Sequence, residues 1–215
     1  ADRASCQNDK ISNTDGSSAG YSTSEFILCT SNGFKNGYKK SSFYISSSAI
    51  ASHNNKMERE YAFEQRTFLE DLPHPSEIGE LAAKRAIDMI GATKPSTGNY
   101  PVIFNERISS SIIGHILNAI NGEAVSRGSS WLHNKLDENI IPENYSLIED
   151  PHILRLYGSS PFDADGLATR TNKVIENGVL KSWVMDLKTS LQLGFKSTAN
   201  AWRLTRIKTQ NKPIM

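Results

Sequence analysis

The side chains best suited to hold a transition metal are five histidines, His53, His74, His115, His133 and His152, and two cysteines, Cys6 and Cys29. They are spread singly. No His-x-x-x-His or His-Glu-x-x-His pair sets two donors one helical turn apart, and the cysteines form no Cys-x-x-Cys pair, so the spacing argues against a zinc site built by this chain. Two cysteines are also too few for a disulfide scaffold, which makes reduced thiols the default. His115 has neither a second histidine nor a carboxylate one turn away, and it reads as a helix-surface or capped histidine. Asp163-Ala164-Asp165-Gly166 has the opening of a calcium loop without its later ligands, since Thr169 and Arg170 follow and the twelfth position carries no glutamate. A tight turn before a strand explains these residues better. Gly128-Ser129-Ser130-Trp131 is not the Gly-x-Ser-x-Gly elbow of a nucleophilic serine, and neither a phosphate loop nor a dinucleotide fingerprint occurs. The basic residues of the tail, Arg203, Arg206, Lys208 and Lys212, lack interleaved aromatics and read as a solvated end.

These residues need a scaffold, and the composition says which kind. Of the 215 residues 38% are hydrophobic and 22% charged, with 24 basic against 23 acidic, which fits a soluble globular chain and offers no field for nucleic acid or anionic lipid. No apolar run reaches the roughly 18 to 20 residues of a membrane span, so neither a nucleic acid nor a membrane is expected as a partner, and a cytoplasmic location is.

Residues 22–30 and 38–52 read as strands, with Asn32-Gly33 and Asn36-Gly37 between them as hairpin turns. On the return strand Phe43, Ile45, Ser47, Ala49 and Ala51 share one face, expected to be the buried one. A further strand is expected over 58–68, then Pro73 and Pro75, then a helix capped by Ser76 and ending at Gly91, with Ile78, Leu81, Ala82, Met89 and Ile90 as its apolar stripe. A linker over residues 91–99 leads to a short strand, Val102-Ile103-Phe104. The spacing of Ile108, Ile112, Ile116, Ala119 and Ile120 predicts a helix over 107–121 with Gly122 near its end. Asn177-Gly178, between Val174-Ile175-Glu176 and Val179-Leu180, is the strongest hairpin signal in the chain. The fold class is therefore α+β with antiparallel sheets, in two units that each carry a long helix. Residues 1–95 form part of one domain, 96–202 begin another, and 203–215 are a divergent basic tail expected to be loosely held.

Three stretches together are recognisable. They are Thr30-Ser31-Asn32-Gly33-Phe34 with Gly37-Tyr38 and Ser41-Ser42; Asn121-Gly122-Glu123-Ala124-Val125 with Arg127-Gly128-Ser129-Ser130; and Pro161-Phe162-Asp163-Ala164-Asp165-Gly166 through Asn177-Gly178-Val179-Leu180, closed by Leu193-Gly194-Phe195-Lys196-Ser197-Thr198. In this order, over about residues 4–202, they resemble the TldD/PmbA family, and within it the PmbA (TldE) branch once called a modulator of DNA gyrase. The resemblance implies the end of an N-terminal α/β-type domain followed by the start of a β-rich C-terminal domain. It implies a two-subunit bacterial protease in the cytoplasm, in which a TldD-type chain pairs with a PmbA-type chain around a chamber for unfolded peptides, acting in peptide maturation and antitoxin degradation.

In TldD-type chains a helix bears His-Glu-x-x-x-His, two zinc ligands and a general base, and a downstream cysteine completes the site. Counting back from Arg127-Gly128-Ser129-Ser130 puts the two histidines at Ile113 and Asn118 and the glutamate at Gly114, so none of the three groups is present. The resemblance therefore implies a non-catalytic subunit with no cofactor of its own, zinc being expected in a TldD-type partner. Glu123, Arg127, Ser129 and Ser130 are the expected peptide-facing or interface positions, with helix capping or a surface turn as the competing role. The chain begins inside what resembles the family's first domain, and after Trp202-Arg203 the expected glycine-rich continuation is replaced. It reads as a fragment lacking both ends, from a truncation or from a split or degraded gene. Two other classes compete: a stand-alone peptide-binding scaffold that captures extended chains by strand addition, and a self-sufficient hydrolase, for which no constellation is found.

Overall fold

Asn54 and Asn55 both adopt positive φ, 50° and 61°, the conformation a two-residue hairpin turn needs, and Asn tolerates it better than most residues. Around this turn a computed structural model describes residues 1–202. The tail from Arg203 to Met215, with its expected basic character and loose hold, lies outside the described residues. The described chain divides into two compact units, one of residues 1–27, 37–102 and 153–159 and one of residues 28–36, 103–152 and 160–202.

The first unit opens with a short helix α1, Asp2–Ser5, and continues with three long strands, β1 (Ile11–Cys29), β2 (Lys35–His53) and β3 (Lys56–Arg66), in sheet order β1-β2-β3. β2 and β3 are antiparallel, with Ala49 opposite Glu60 and His53 opposite Lys56. Of the face expected to be buried on β2, Ile45, Ser47, Ala49 and Ala51 are buried and Phe43 is half-buried, while Ser48 on the opposite face is buried as well. Asn36-Gly37, expected in a turn, lies inside β2 instead, and the positive φ that a turn requires is at Gly33, 91°.

Helix α2 (Pro75–Asp88) covers the sheet, its Ile78, Ala82, Ala83 and Ala86 meeting Ile45, Ala49, Ala51 and Ala62. Alanine on both sides lets backbone approach backbone, so this core is held by close packing of small groups. The cap is not Ser76 but His74, whose Nδ1 accepts from the Ser76 amide while Glu77 reaches back to the His74 amide at 2.9 Å, with Pro75 as the first helical residue. A proline at that position lacks only an N–H that would be unpaired anyway, which is why the helix starts before the serine. The helix stops at Asp88, and Met89, counted in the stripe, is exposed. Gly79 is buried against α1, where any β-carbon would run into the Ala1 carbonyl.

The second unit contains helix α3 (Glu106–Ala119), helix α4 (Gly122–Ser126), a small antiparallel sheet of β4 (Leu147–Glu149), β5 (Asn172–Glu176) and β6 (Val179–Leu180), and helix α5 (Leu187–Leu193). Asn177 and Gly178 have φ of 48° and 82°, the twofold positive-φ turn expected of that pair. The core gathers Ile116, Ala119 and Ile120 with Val125, Leu132, Val174, Ile175, Leu180, Trp183 and Met185. Val102-Ile103-Phe104, expected as a strand, is not one: all three are exposed and without regular structure. Gly122 likewise opens α4 rather than ending α3. The architecture is α+β with antiparallel sheets. No helix among the described residues is long and apolar enough to cross a membrane.

Candidate functional site

Helix α3 begins where the Asn105 side chain accepts from the Arg107 amide at 3.0 Å. Its last turn is anchored, because Ile116, Ala119 and Ile120 enter the core. The rest of its apolar stripe is not: Ile108, Ile112, Ile113 and Leu117 are exposed. The expectation that Ile108 and Ile112 are buried is therefore corrected, since no element of this chain lies over that face among the described residues.

On this helix Ile113 and Asn118 are exposed, and Gly114 is half-buried with open space where its side chain would be. His115 is exposed. Nowhere among the described residues do three His, Cys, Asp or Glu side chains converge as a metal would require. An isoleucine, a glycine and an asparagine supply no imidazole and no carboxylate, so the residues on α3 do not fit a catalytic zinc.

After α3 the chain turns sharply. Gly122 is buried because α5 comes so close that an added β-carbon would stand 2.6 Å from Thr189 Oγ1, and its amide donates to the Val184 carbonyl at 2.8 Å. The Asn121 side chain caps α4 through the Glu123 amide at 2.9 Å. Glu123 and Arg127 project into solvent and pair with each other at 3.1 Å across one helical turn. Ser129 is exposed, its hydroxyl donating to the Ala124 carbonyl at 3.1 Å. Ser130 is buried: its hydroxyl donates to the Ala119 carbonyl and accepts from the Leu132 amide, tying the end of α3 to the loop beyond α4. The fold thus brings Glu123 and Arg127 together on one exposed face and turns Ser130 inward.

The other recognisable stretches form a staple. Asp163 is buried, and its carboxylate accepts backbone amides of Asp165 at 3.0 Å, Leu167 at 2.9 Å and Ala201 at 3.0 Å. Gly166 supplies the positive φ, 81°, at which the loop reverses. Thr198 is buried, with its hydroxyl accepting from the Met185 amide at 2.7 Å and donating to the Met185 carbonyl. The Asp186 carboxylate caps α5 through Thr189, and those hydrogen bonds outweigh burial and hold its pKa below the usual aspartate value. Glu149 is different. Burial pushes its pKa up despite a hydrogen bond from the Asn200 amide, and Glu149 Oε2 and Asn200 Oδ1 are buried without hydrogen-bond partners among the described residues. Sequence spacing gives no sign of this last pair, 51 residues apart.

Comparison with known proteins decides the family. Residues 1–90 match the PmbA/TldA metallopeptidase central domain and residues 97–215 match the PmbA/TldA metallopeptidase C-terminal domain. The chain belongs to the PmbA/TldD metallopeptidase family. A PmbA/TldD relative named Metalloprotease PmbA, from Escherichia coli O157:H7, is 34% identical over 210 residues, covering 95% of this chain and 47% of its own length. A Thermotoga maritima MSB8 structure of a protein named for modulation of a DNA gyrase gives a TM-score of 0.86 at 26% identity, over 94% of this chain and 46% of that one. TldE from Thermococcus kodakarensis shares the fold, with a TM-score of 0.73 at 23% identity over 89% of this chain and 43% of its own. The chain spans about half the length of the curated PmbA relatives it matches.

Proposed function

We propose that this chain is a PmbA/TldE-type non-catalytic subunit, or part of one, of a TldD/TldE-type zinc metalloprotease that acts on unfolded peptides in the cytoplasm, in peptide maturation and antitoxin degradation. Residues 1–95 belong on this reading to an N-terminal or central domain and residues 96–202 to the start of the C-terminal domain. What supports it is the chemistry of α3: counted back from Arg127, the family's metal motif would fall on Ile113, Gly114 and Asn118, none of which can ligate zinc or act as a base, and among the described residues no three His, Cys, Asp or Glu side chains converge. A chain of this family without a metal site still has a use if it shapes the chamber in which a partner's zinc works. Glu123, Arg127 and Ser129, directly after that helix, are the positions assigned to the peptide-facing or partner-facing side; Ser130, expected beside them, is buried and instead holds the α3 terminus. The exposed apolar face of α3 supports the need for a partner.

The test is co-purification of tagged chain with a TldD-type protein, followed by metal analysis. A joint peak with zinc stoichiometric to the partner alone is expected, and failure to pair, or one zinc per copy of this chain by itself, overturns the reading. A second reading has its own support in the sheet of the first unit. β1 and β3 are edge strands, and β1 is exposed along most of its 19 residues, as a platform for strand addition to extended peptides would be. That stand-alone scaffold predicts peptide affinity without any partner.

A further inference from the structure

The second unit contains a recess of about 220 Å3 whose floor is Trp183, Met185 and Thr198, all buried, and whose rim carries Arg170, Lys181 and Lys196. No aspartate or glutamate lines it. In a chain with 24 basic and 23 acidic residues, this recess is lined by three cations and no carboxylate, the nearest balancing charge being Asp137 beside the lining Leu136. The three are not equally engaged. Lys181 pairs with Asp137 at 3.1 Å outside the recess, and Arg170 donates to the Ser197 carbonyl at 2.9 Å, which fixes the guanidinium without neutralising it. Lys196 makes no hydrogen bond or ion pair among the described residues.

The shape narrows the ligand. The volume lies below the roughly 300–1,000 Å3 of pockets for drug-sized ligands, so it admits one small anionic group with a short attachment. An arginine fork matches the planar oxygens of a carboxylate. Phe195, exposed at the edge, offers apolar surface that a fully hydrated anion such as phosphate would not use, while the indole and thioether beneath are almost wholly buried. The same apolar floor lowers the local dielectric and strengthens the attraction of the cations above it.

We propose that this recess binds a peptide carboxylate, seated among Arg170, Lys181 and Lys196, with the adjoining side chain against Phe195. That the ligand is a peptide rests on the function proposed above, whereas the capture of a carboxylate rests on the recess alone. Its source is either a chain terminus or an acidic side chain.

The experiment is titration of the 215-residue chain by calorimetry and tryptophan fluorescence, with three probes and inorganic phosphate as control. The probes are acetyl-Gly-Ala-Leu with a free carboxylate, the same peptide as its amide, and acetyl-Gly-Asp-Leu-amide. The free acid is expected to bind with a Kd of roughly 0.1–1 mM, as a partly exposed charge site should, and the plain amide at least about tenfold more weakly. Binding of the Asp-containing amide as tight as that of the free acid would assign the source to an acidic side chain, and weak binding would assign it to the terminus; both support the site. Lys196→Ala should weaken the favoured probe about fivefold, Lys196→Arg should restore it, and 0.5 M salt should weaken it by about threefold or more. Equal binding of acid and amide, tighter binding of phosphate than of either carboxylate peptide, or indifference to Lys196→Ala overturns the proposal. None of these readouts involves a protease partner, so a failure here and a failure to pair are separate results.

Discussion

A buried carboxylate is tolerated only when its oxygens are matched by donors, and Asp163 and Glu149 stand at the two ends of that condition. Asp163 accepts three backbone amides, and removing its carboxylate takes the acceptor from all three. Asp163→Ala should lower stability by about 3–5 kcal/mol, read from urea or thermal unfolding. Glu149 has one oxygen without a donor beside an asparagine carbonyl oxygen in the same state. Its pKa is raised by burial, so its folded state prefers the proton. Its contribution is favourable at pH below the ordinary glutamate value and is lost as pH rises through the raised folded value. Glu149→Gln should therefore be neutral or stabilising by about 0.5–1 kcal/mol at pH 7, and should flatten the fall in stability between acid and neutral pH. A loss of stability at pH 7 would show that the carboxylate is charged and paired there. Asp163 was legible in sequence as a turn residue, because the Asp that opens Asp163-Ala164-Asp165-Gly166 has a local reason to be there. The Glu149 environment was not, because it depends on a residue 51 positions away.

Among the elements, α3 shows most clearly what periodicity does and does not say. The recurrence of Ile108, Ile112, Ile116 and Ile120 correctly marks a helix with an apolar face, yet only its last turn meets a core. Periodicity reports that a face is apolar and is silent about what covers it. Ile116→Ala should cost roughly 2–4 kcal/mol in unfolding, whereas Ile112→Lys should cost under about 0.5 kcal/mol and should reduce binding of a hydrophobic dye. An equal cost at both positions would mean that the outer face is covered in solution. The strand pairs were legible for the opposite reason: alternation on β2 and the Asn-Gly turn at 177–178 are local signals that agree with the tertiary arrangement. Val102-Ile103-Phe104 is as apolar as a strand but has no neighbour to pair with, and pairing rather than composition makes a strand. The displaced cap at His74 follows from Pro75, whose fixed φ suits the first helical position.

At the scale of the whole molecule, the chain passes between its two units more than once, and residues 153–159 return to the first unit after β4. Arg155 holds them there. Its guanidinium meets Asp71 through two hydrogen bonds of 2.7 and 2.8 Å, reaches Glu70 at 2.8 Å and lies 4.1 Å from the centre of the Phe68 ring. The backbone at Arg155 is left-handed, φ 67°, which an arginine adopts only under constraint. The hydrogen bonds from Arg155 hold Glu70 and Asp71 below the usual carboxylate range. Depressed folded values make the contribution complete at neutral pH and remove it as pH falls through those values, below the ordinary carboxylate range. Hydrogen exchange of residues 153–159 should show protection at pH 7 that disappears in acid and in Arg155→Ala at any pH. Arg155→Gly, which suits the backbone but cannot pair, should lose it too; protection retained in both variants would rule out the ion cluster as the tether. The Asn-Gly turns set a different kind of limit, a chemical lifetime. An asparagine before glycine converts slowly to isoaspartate: the glycine nitrogen attacks the side-chain amide carbon, ammonia leaves, and water opens the resulting cyclic imide. Both glycine N–H groups are held, Gly178 by the Tyr145 carbonyl at 2.9 Å and Gly33 by the Thr30 carbonyl at 3.1 Å, but Gly178 is buried whereas Asn32 and Gly33 are exposed to the water the conversion needs. The molecule should therefore age first at Asn32, in its outer turn, and keep the hairpin at 177–178 intact the longest.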